Sequence, residues 1–451
     1  MDFISQIPAF GGMLSTLFAF VVALSVIVAV HEYGHYIVGR WSGIYAEVFS
    51  LGFGPVLFSR VDKHGTRWQL AALPFGGYVK FLGDSNAASV GSDDETLRQV
   101  SPEDLRHTML GAPLWARTAT VAAGPVFNFI LSIALFTVLG FSNGVVKEPL
   151  TVGDLRPMPQ AVALQPGDEI VSIAGRDVPS FSDPSFGDFL DTLPLQPELD
   201  YVVRRDGATV ELSAPYPMPA AIRQLAPRSA AYDIDLKVGD VITGVDGQPI
   251  FAFSQLKDAV EAANGKPLTL SVWRGGETAG APLEFVLAPR RVDEPKAGGG
   301  FETNWRIGIV GALLLDPATE SPGLGTALAN GVGLTWDIMV SSLSGLYHMV
   351  IGTISTCNMS GPLGIAEVSG AMASQGTQSF VYFIGLLSTA VGLLNLFPIP
   401  VLDGGHLVFY GYEAVSGRPP SERAMNILMR IGLTVILGMM LFALFNDIFC
   451  P

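Results

Sequence analysis

"VIVAVHEYGHYIVGR", residues Val26 to Arg40, decides how this chain is read. It closes a run in which residues 3 to 30 carry no charge and Leu14 to Val30 is apolar enough for lipid. Without a turn signal, the same run then delivers His31, Glu32 and His35. On a helix of about 3.6 residues per turn, His31 and His35 share one face, with Glu32 beside them. H-E-x-x-H at this spacing supplies two imidazoles to zinc and a carboxylate to carry a proton. Ionisable groups inside a membrane helix cost at least ~2.5 kcal/mol on insertion scales and mark function. An interfacial anchor would use Trp, Tyr, Lys or Arg instead.

The rest of the composition agrees with a membrane setting. Of 451 residues, 49% are hydrophobic and 15% charged, and the mean hydropathy is +0.42. A soluble chain carries about 25% charged residues. The net charge of −15 excludes a nucleic-acid partner, which needs a basic footprint. Between Gly144 and Asn330 stand 25 acidic and 15 basic residues, so −10 of the −15 falls there. That middle portion reads as a water-soluble module between membrane-embedded ends. Cys357 and Cys450 have no metal-ligand spacing and no disulfide framework. They are expected as free thiols, the alternative being one disulfide if both face an oxidising compartment. The N-terminus lacks a basic n-region and a cleavage motif and is read as retained.

A span needs roughly 20 mostly apolar residues. Four stretches qualify, at about 13–36, 118–141, 380–400 and 430–449. Residues 338 to 366 also lack Asp, Glu, Lys and Arg. There, however, Trp336, Met339, Val340, Leu343, Leu346, Tyr347, Val350, Ile351 and Ile354 form a stripe interrupted by serines and glycines. Such a stripe suits the bilayer surface better than a crossing. Lys and Arg set the orientation. The loop 37–117 holds eight of them and the loop 401–430 holds three, while the first twelve residues and the C-terminal tail have none. Four spans then put both termini and the acidic module outside.

A catalytic zinc takes a third protein ligand and keeps a position for water. "NLFPIPVLDGGHL" offers Asp403 where the third span closes, with His406 as the alternative ligand. The first and third spans both run inward, so His35 and Asp403 reach the same cytoplasmic third of the bilayer. Pro398 and Pro400 break the helix before Asp403, and Gly404 and Gly405 permit tight turns after it. Irregular backbone at this depth must be buried in protein or line a wet cavity. Such a site would lower the pKa of bound water to about 7, and Glu32 would take its proton and pass it to a leaving amine. Asn128 in the second span and Asn395 in the third are candidate substrate contacts, interhelical hydrogen bonding being the alternative for each. "IYAEVFSLGFGPVLFSR" and "TRWQLAALPFGGYVKF" read as strands joined by the turn "DKHG" and broken at Gly52, Gly54 and Gly76–Gly77. A sheet edge beside the metal could take an extended segment by strand addition, a structural hairpin plugging the bilayer surface being equally compatible, and Gly52 and Gly54 are counted with the candidate substrate-contacting positions.

The middle module repeats itself. "LQPGDEIVSIAGRDV" (Leu164 to Val178) matches "LKVGDVITGVDGQPI" (Leu236 to Ile250), with Leu, Gly-Asp, Ile and Gly recurring at an offset of 72. Each copy continues into a helical stretch and a strand, which makes one compact β unit present twice. "PKAGGG", residues 295–300, reads as the linker that follows. The repeat resembles paired PDZ domains. Val162-Ala163 and Ile234-Asp235 depart from the Ala-Gly that many bacterial members carry before the leucine.

On "HEYGH", "SLGFGP", "LPFGGYVKFLG", "AGPVFNF", "SGPLGIA" and "NLFPIPVLDGGH", nearly the whole chain resembles the site-2 protease family, in its bacterial regulator of sigma-E protease form. That resemblance implies one zinc ion on His31, His35 and Asp403, Glu32 as catalytic acid and base, and Asn395 near the substrate. It also implies a membrane-reentrant β-hairpin within residues 44–82. The substrates implied are single-span membrane proteins, such as an anti-sigma factor remnant already cut by a first protease, and signal-peptide remnants. The implied location is a bacterial inner membrane, with the PDZ domains periplasmic and the zinc toward the cytoplasm.

The fold class expected is therefore a polytopic α-helical membrane protein of four transmembrane helices, with a membrane-associated β-hairpin region and two extracytoplasmic PDZ domains. The division runs 1–40, 41–116 and 117–142 for the first span, cytoplasmic loop and second span. It continues 143–220 and 221–300 for the PDZ domains and 301–379 for a linker and amphipathic surface helix. Residues 380–403, 404–429 and 430–451 are the third span, a cytoplasmic loop and the fourth span. A PDZ-bearing membrane scaffold with a structural metal is the main rival; it would need a fourth protein ligand, and none is evident in the sequence. A zinc transporter would need polar residues along a full path, whereas here they gather at one depth.

Overall fold

The computed structural model describes residues 12–84, 104–275, 282–296 and 300–450. These residues fall into two compact units. One comprises the two ends of the chain with residues 325–347, and the other comprises residues 140–324 with 348–355.

The first unit is mainly helical. Four of its helices are long and apolar enough to cross a membrane: α1 (Gly12–Trp41), α2 (Leu114–Asn143), a third at Thr377–Asn395 and a fourth at Glu422–Phe449. A 30-residue helix is about 45 Å long, so α1 and α2 exceed a bilayer core of about 30 Å. Their outward faces carry Leu14, Leu17, Phe18 and Val138 in the open, a surface that lipid solvates and water does not. Small residues let these helices touch. A β-carbon on Gly34 of α1 would stand 2.6 Å from the Ala123 carbonyl oxygen, and one on Gly385 would stand 2.7 Å from the Phe136 ring. Pro125 is accommodated inside α2, where a membrane setting lets neighbouring groups compensate for the lost hydrogen bond.

Between α1 and α2 lie two long strands, β1 (Ala46–Val61) and β2 (Arg67–Phe81). They do not pair as a simple ribbon. Residues 46–51 pair on one side with 77–81 and on the other with 67–70, while 53–61 pairs with 67–73. Each strand is thus folded over, and segment 77–81 forms an outer edge. The fold occurs at Gly52 and Gly54, whose φ values of +89° and +82° favour glycine. At Gly52 a β-carbon would also meet the Leu73 carbonyl oxygen at 2.7 Å.

After α3 (Ser185–Asp191) and α4 (Phe253–Ala262) of the second unit come α5 (Leu324–Val350), α6 (Pro362–Ser374), α7 (Thr377–Asn395), α8 (Asp403–Ser416) and α9 (Glu422–Phe449). The amphipathic helix starts earlier than its expected stripe and stops sooner. It ends at Val350, Gly352 turns at φ +76°, and Ile354 is buried beyond it. Along α5 the buried line is Ala327, Gly331 and Thr335. A β-carbon on Gly331 would lie 2.5 Å from Thr137 Oγ1 of α2, so this line is a close helix contact.

The expectation of two free thiols is corrected: Cys357 and Cys450 form a disulfide. It closes a clasp at the end of α9. Asp447 accepts from the Gly361 and Leu363 amides at the start of α6, and Asn446 donates to the Thr356 carbonyl. Spacing alone could not reveal a pair 93 residues apart that the return of α9 to α6 brings together.

The second unit holds two four-stranded antiparallel sheets of the same plan. One runs in the order 176–177, 169–173, 198–205, 208–215, and the other 248–249, 241–245, 268–273, 283–287. Each has one helix, α3 (Ser185–Asp191) or α4 (Phe253–Ala262). The Gly-Asp turns have a shared purpose. Asp168 accepts two hydrogen bonds from Arg205, and Asp240 accepts two from Arg274, each acidic side chain being buried. Strands beyond residue 300 pair back onto segments of both repeats. Ile309–Gly311 pairs with Ile222–Leu225, and Leu315–Pro317 pairs with Val152–Leu155, placing Leu314 and Leu315 in the core of the first sheet. Arg290–Pro295 pairs with Phe301–Arg306, one strand on either side of the glycine-rich stretch expected as a linker, whose residues 297–299 lie outside the described residues.

Candidate metal centre

His31 and His35 project from α1 one turn apart, and their Nε2 atoms lie 3.2 Å from each other. Asp403 opens α8, and its Oδ2 sits 3.2 Å from His31 Nε2 and 3.5 Å from His35 Nε2. One ligand atom from each residue lies within 4.8 Å of the others, a spacing that can hold a metal ion. His406 is outside this group.

Glycines make the approach possible. A β-carbon on Gly404 would stand 2.3 Å from the Leu396 and Phe397 carbonyl oxygens, and one on Gly405 would stand 2.3 Å from that of Ile399. With side chains there, the start of α8 could not fold back under the end of α7, and Asp403 would be displaced. On the other side of the histidines, α2 is bare at Gly124. A β-carbon there would lie 2.3 Å from His35 Nε2 and 2.8 Å from His31 Cε1.

The protons are arranged for metal binding. His35 Nδ1 is 2.8 Å from the Thr120 carbonyl oxygen, which can only accept, so Nδ1 carries a proton and, in the neutral ring that binds metal, Nε2 keeps its lone pair. That lone pair faces Asp403 Oδ2, a buried oxygen with no hydrogen-bond donor. Acceptors converging in a buried place repel one another unless a cation lies among them. Two imidazole nitrogens and one carboxylate oxygen match the donor set of a catalytic zinc.

Beside the triad, Glu32 lies against the edge segment 77–81. Gly77 leaves the room for this, since a β-carbon there would stand 3.1 Å from Glu32 Cγ. His31, Glu32, His35, Asp403, Asn395 and Tyr410 are among the residues lining a cavity of about 230 Å³. Asn395 lies at its wall and donates to the Val391 carbonyl of its own helix. The other three candidate contacts lie elsewhere. Gly52 and Gly54 sit at the fold of β1, and Asn128 is wholly buried behind the histidines, with its amide nitrogen 3.1 Å from His31 Nδ1. Of the loop histidines, His107 is engaged with the Gly43 carbonyl oxygen and stacks on Tyr45.

A family model for peptidase family M50 matches residues 19–439. The chain belongs to that family. Among relatives of this M50 peptidase is the regulator of sigma-E protease RseP of Salmonella typhimurium (strain 14028s). It is 32% identical over 465 aligned positions, which cover 96% of this chain and 98% of the relative. A relative from Rhizobium meliloti (strain 1021) that carries a zinc-metalloprotease name is 36% identical, over 96% of both chains. Sequence reasoning on this M50 peptidase singled out Asn128 of α2 but missed its contact with His31 and the parts taken by Gly124 and Thr120. The signal was present in "AGPVFNF", a glycine and an amide on the span next to the imidazoles.

Proposed function

We propose that the protein is a zinc-dependent intramembrane endopeptidase that cuts single-span membrane proteins in or near their transmembrane segment. The observation that carries this reading is the convergence of His31, His35 and Asp403 beside Glu32, at the foot of apolar helices. Zinc bound there supplies a Lewis acid and a water that ionises near neutrality. His31 and His35 would hold it through Nε2, and Asp403 through a carboxylate oxygen. Glu32 would take the proton of the attacking water and return it to the leaving amine. An extended substrate segment would lie along edge 77–81, its backbone held by strand addition and its side chains reaching the cavity. Asn395 on the cavity wall would contact it.

The two sheets of the second unit are read as PDZ domains, on their shared strand order and their buried Asp–Arg pairs. They would exclude substrates whose external domain is still attached. Lys and Arg in the loops favour both termini and these domains on the outer, periplasmic side of a bacterial inner membrane. The Cys357–Cys450 disulfide supports that orientation, since it belongs in an oxidising compartment. One curated relative is named a regulator of sigma-E protease. By analogy, the physiological substrate would be an anti-sigma factor remnant, and the process an envelope stress response. Signal-peptide remnants share the same chemistry and would be cut too. A scaffold with a structural metal is disfavoured, because the described residues offer three ligands and not a closed set of four.

Co-expression of truncated single-span proteins with wild type and Glu32→Gln, with fragments read by mass spectrometry, tests the proposal. Wild type should cut and the variant should not, though both bind zinc. Equal fragments from the two would remove Glu32 from the chemistry.

A further inference from the structure

The amide oxygen of Asn128 is buried without a hydrogen-bond partner, while the amide nitrogen stands 3.1 Å from His31 Nδ1. A half-turn of the amide exchanges the two atoms at no cost in shape. Turned so, Oδ1 faces the imidazole and the orphaned acceptor finds a donor. We propose that Asn128 is a positioning residue whose Oδ1 accepts from His31 Nδ1–H, fixing the tautomer that leaves Nε2 free for the metal. The inference rests on the metalloprotease reading and adds a residue to it.

Three observations carry it. The first is symmetry of purpose: Thr120 does the same for His35 with its backbone carbonyl, one helix serving both imidazoles. In the opposite amide orientation Nδ2–H would need a lone pair on Nδ1, which would place the ring proton on Nε2 among the ligand atoms. The second is that the side chain is not needed to join α2 to α7. That joint is made by hydroxyls, with Ser388 donating to the Asn128 carbonyl oxygen and Ser132 donating to that of Gly385. The third is fit. Asn128 is wholly buried, and Gly392 of α7 faces its Cβ closely, so the amide has little choice of place.

The test uses the full-length protein in detergent, with zinc affinity measured by chelator competition on wild type, Asn128→Ala and Asn128→Asp. Loss of an outer partner of a metal-binding histidine costs about 10- to 100-fold in affinity. Asn128→Ala should show that loss with little change in thermal midpoint, and Asn128→Asp, which still accepts but cannot donate, should keep most of the affinity. Nitrogen-15 spectra of histidine-labelled, zinc-loaded wild type give a readout that does not depend on variants folding. They should show the His31 proton on Nδ1. Unchanged affinity in Asn128→Ala, or a bare Nδ1, would overturn the inference while leaving the zinc site standing. Wild type that takes up no zinc would overturn both this inference and the metalloprotease reading.

Discussion

Gly124 lies so close to His35 that a β-carbon on it would stand 2.3 Å from the imidazole Nε2. The absent side chain is part of the site. The ring occupies the space a methyl group would fill, and α2 serves as its wall.

Gly124→Ala should therefore insert and fold yet push the imidazoles off their shared focus. Zinc affinity should fall by at least about 10-fold, comparable to losing an outer partner of a ligand. Chelator competition checks this directly. Gly140→Ala on the same helix, where a β-carbon meets nothing within 4 Å, should behave as wild type.

Arg117 at the start of α2 grips Glu413 of α8 with two hydrogen bonds, of 2.6 and 3.1 Å, and lies over the Tyr410 ring. Both charges are mostly buried, so removing one strands the other, at a cost of about 3–5 kcal/mol. Glu413→Ala should lower the thermal midpoint in detergent and loosen the helix that carries Asp403. Glu413→Gln, which keeps one acceptor, should lose less.

In the second unit, hydrogen bonds from the Arg205 guanidinium hold the Asp168 carboxyl below its ordinary range. A depressed acid stabilises the fold fully at pH values above its unfolded pKa of about 3.9, and the benefit is lost as pH falls through the lower folded value. Asp168→Asn should thus lower the unfolding midpoint at pH 7, and the gap to wild type should narrow below about pH 4. A gap that widens in acid would contradict the sign of this coupling.

Cys357 and Cys450 should resist thiol-reactive labels in protein purified without reductant and take up label after reduction. Cys450→Ser should leave Cys357 reactive and free the end of α9 to protease. Labelling without reduction would contradict the clasp.

Much of this was legible in the sequence because hydropathy and charge act locally. The four helices long and apolar enough to cross a membrane follow from apolar runs, and His31, Glu32 and His35 from helical spacing. Asp403 could be picked because only one carboxylate stood where a broken span meets the same leaflet. What stayed hidden depends on how distant segments meet. Gly124 and Thr120, and the contact of Asn128 with His31, owe their importance to the face of α2 that lies against α1, and one span gives no sign of which face that is. The return of residues 309–317 to pair with Ile222–Leu225 and Val152–Leu155 is a long-range register, invisible to a repeat with a period of 72. The disulfide escaped for the same reason.

Elemental analysis of purified, chelator-free protein, compared across wild type, His35→Ala and Asp403→Ala, tests the central claim most directly. Wild type should carry about one zinc per chain, and each variant should carry little. Wild type devoid of transition metal, or full zinc in Asp403→Ala, would contradict a centre built from α1 and α8.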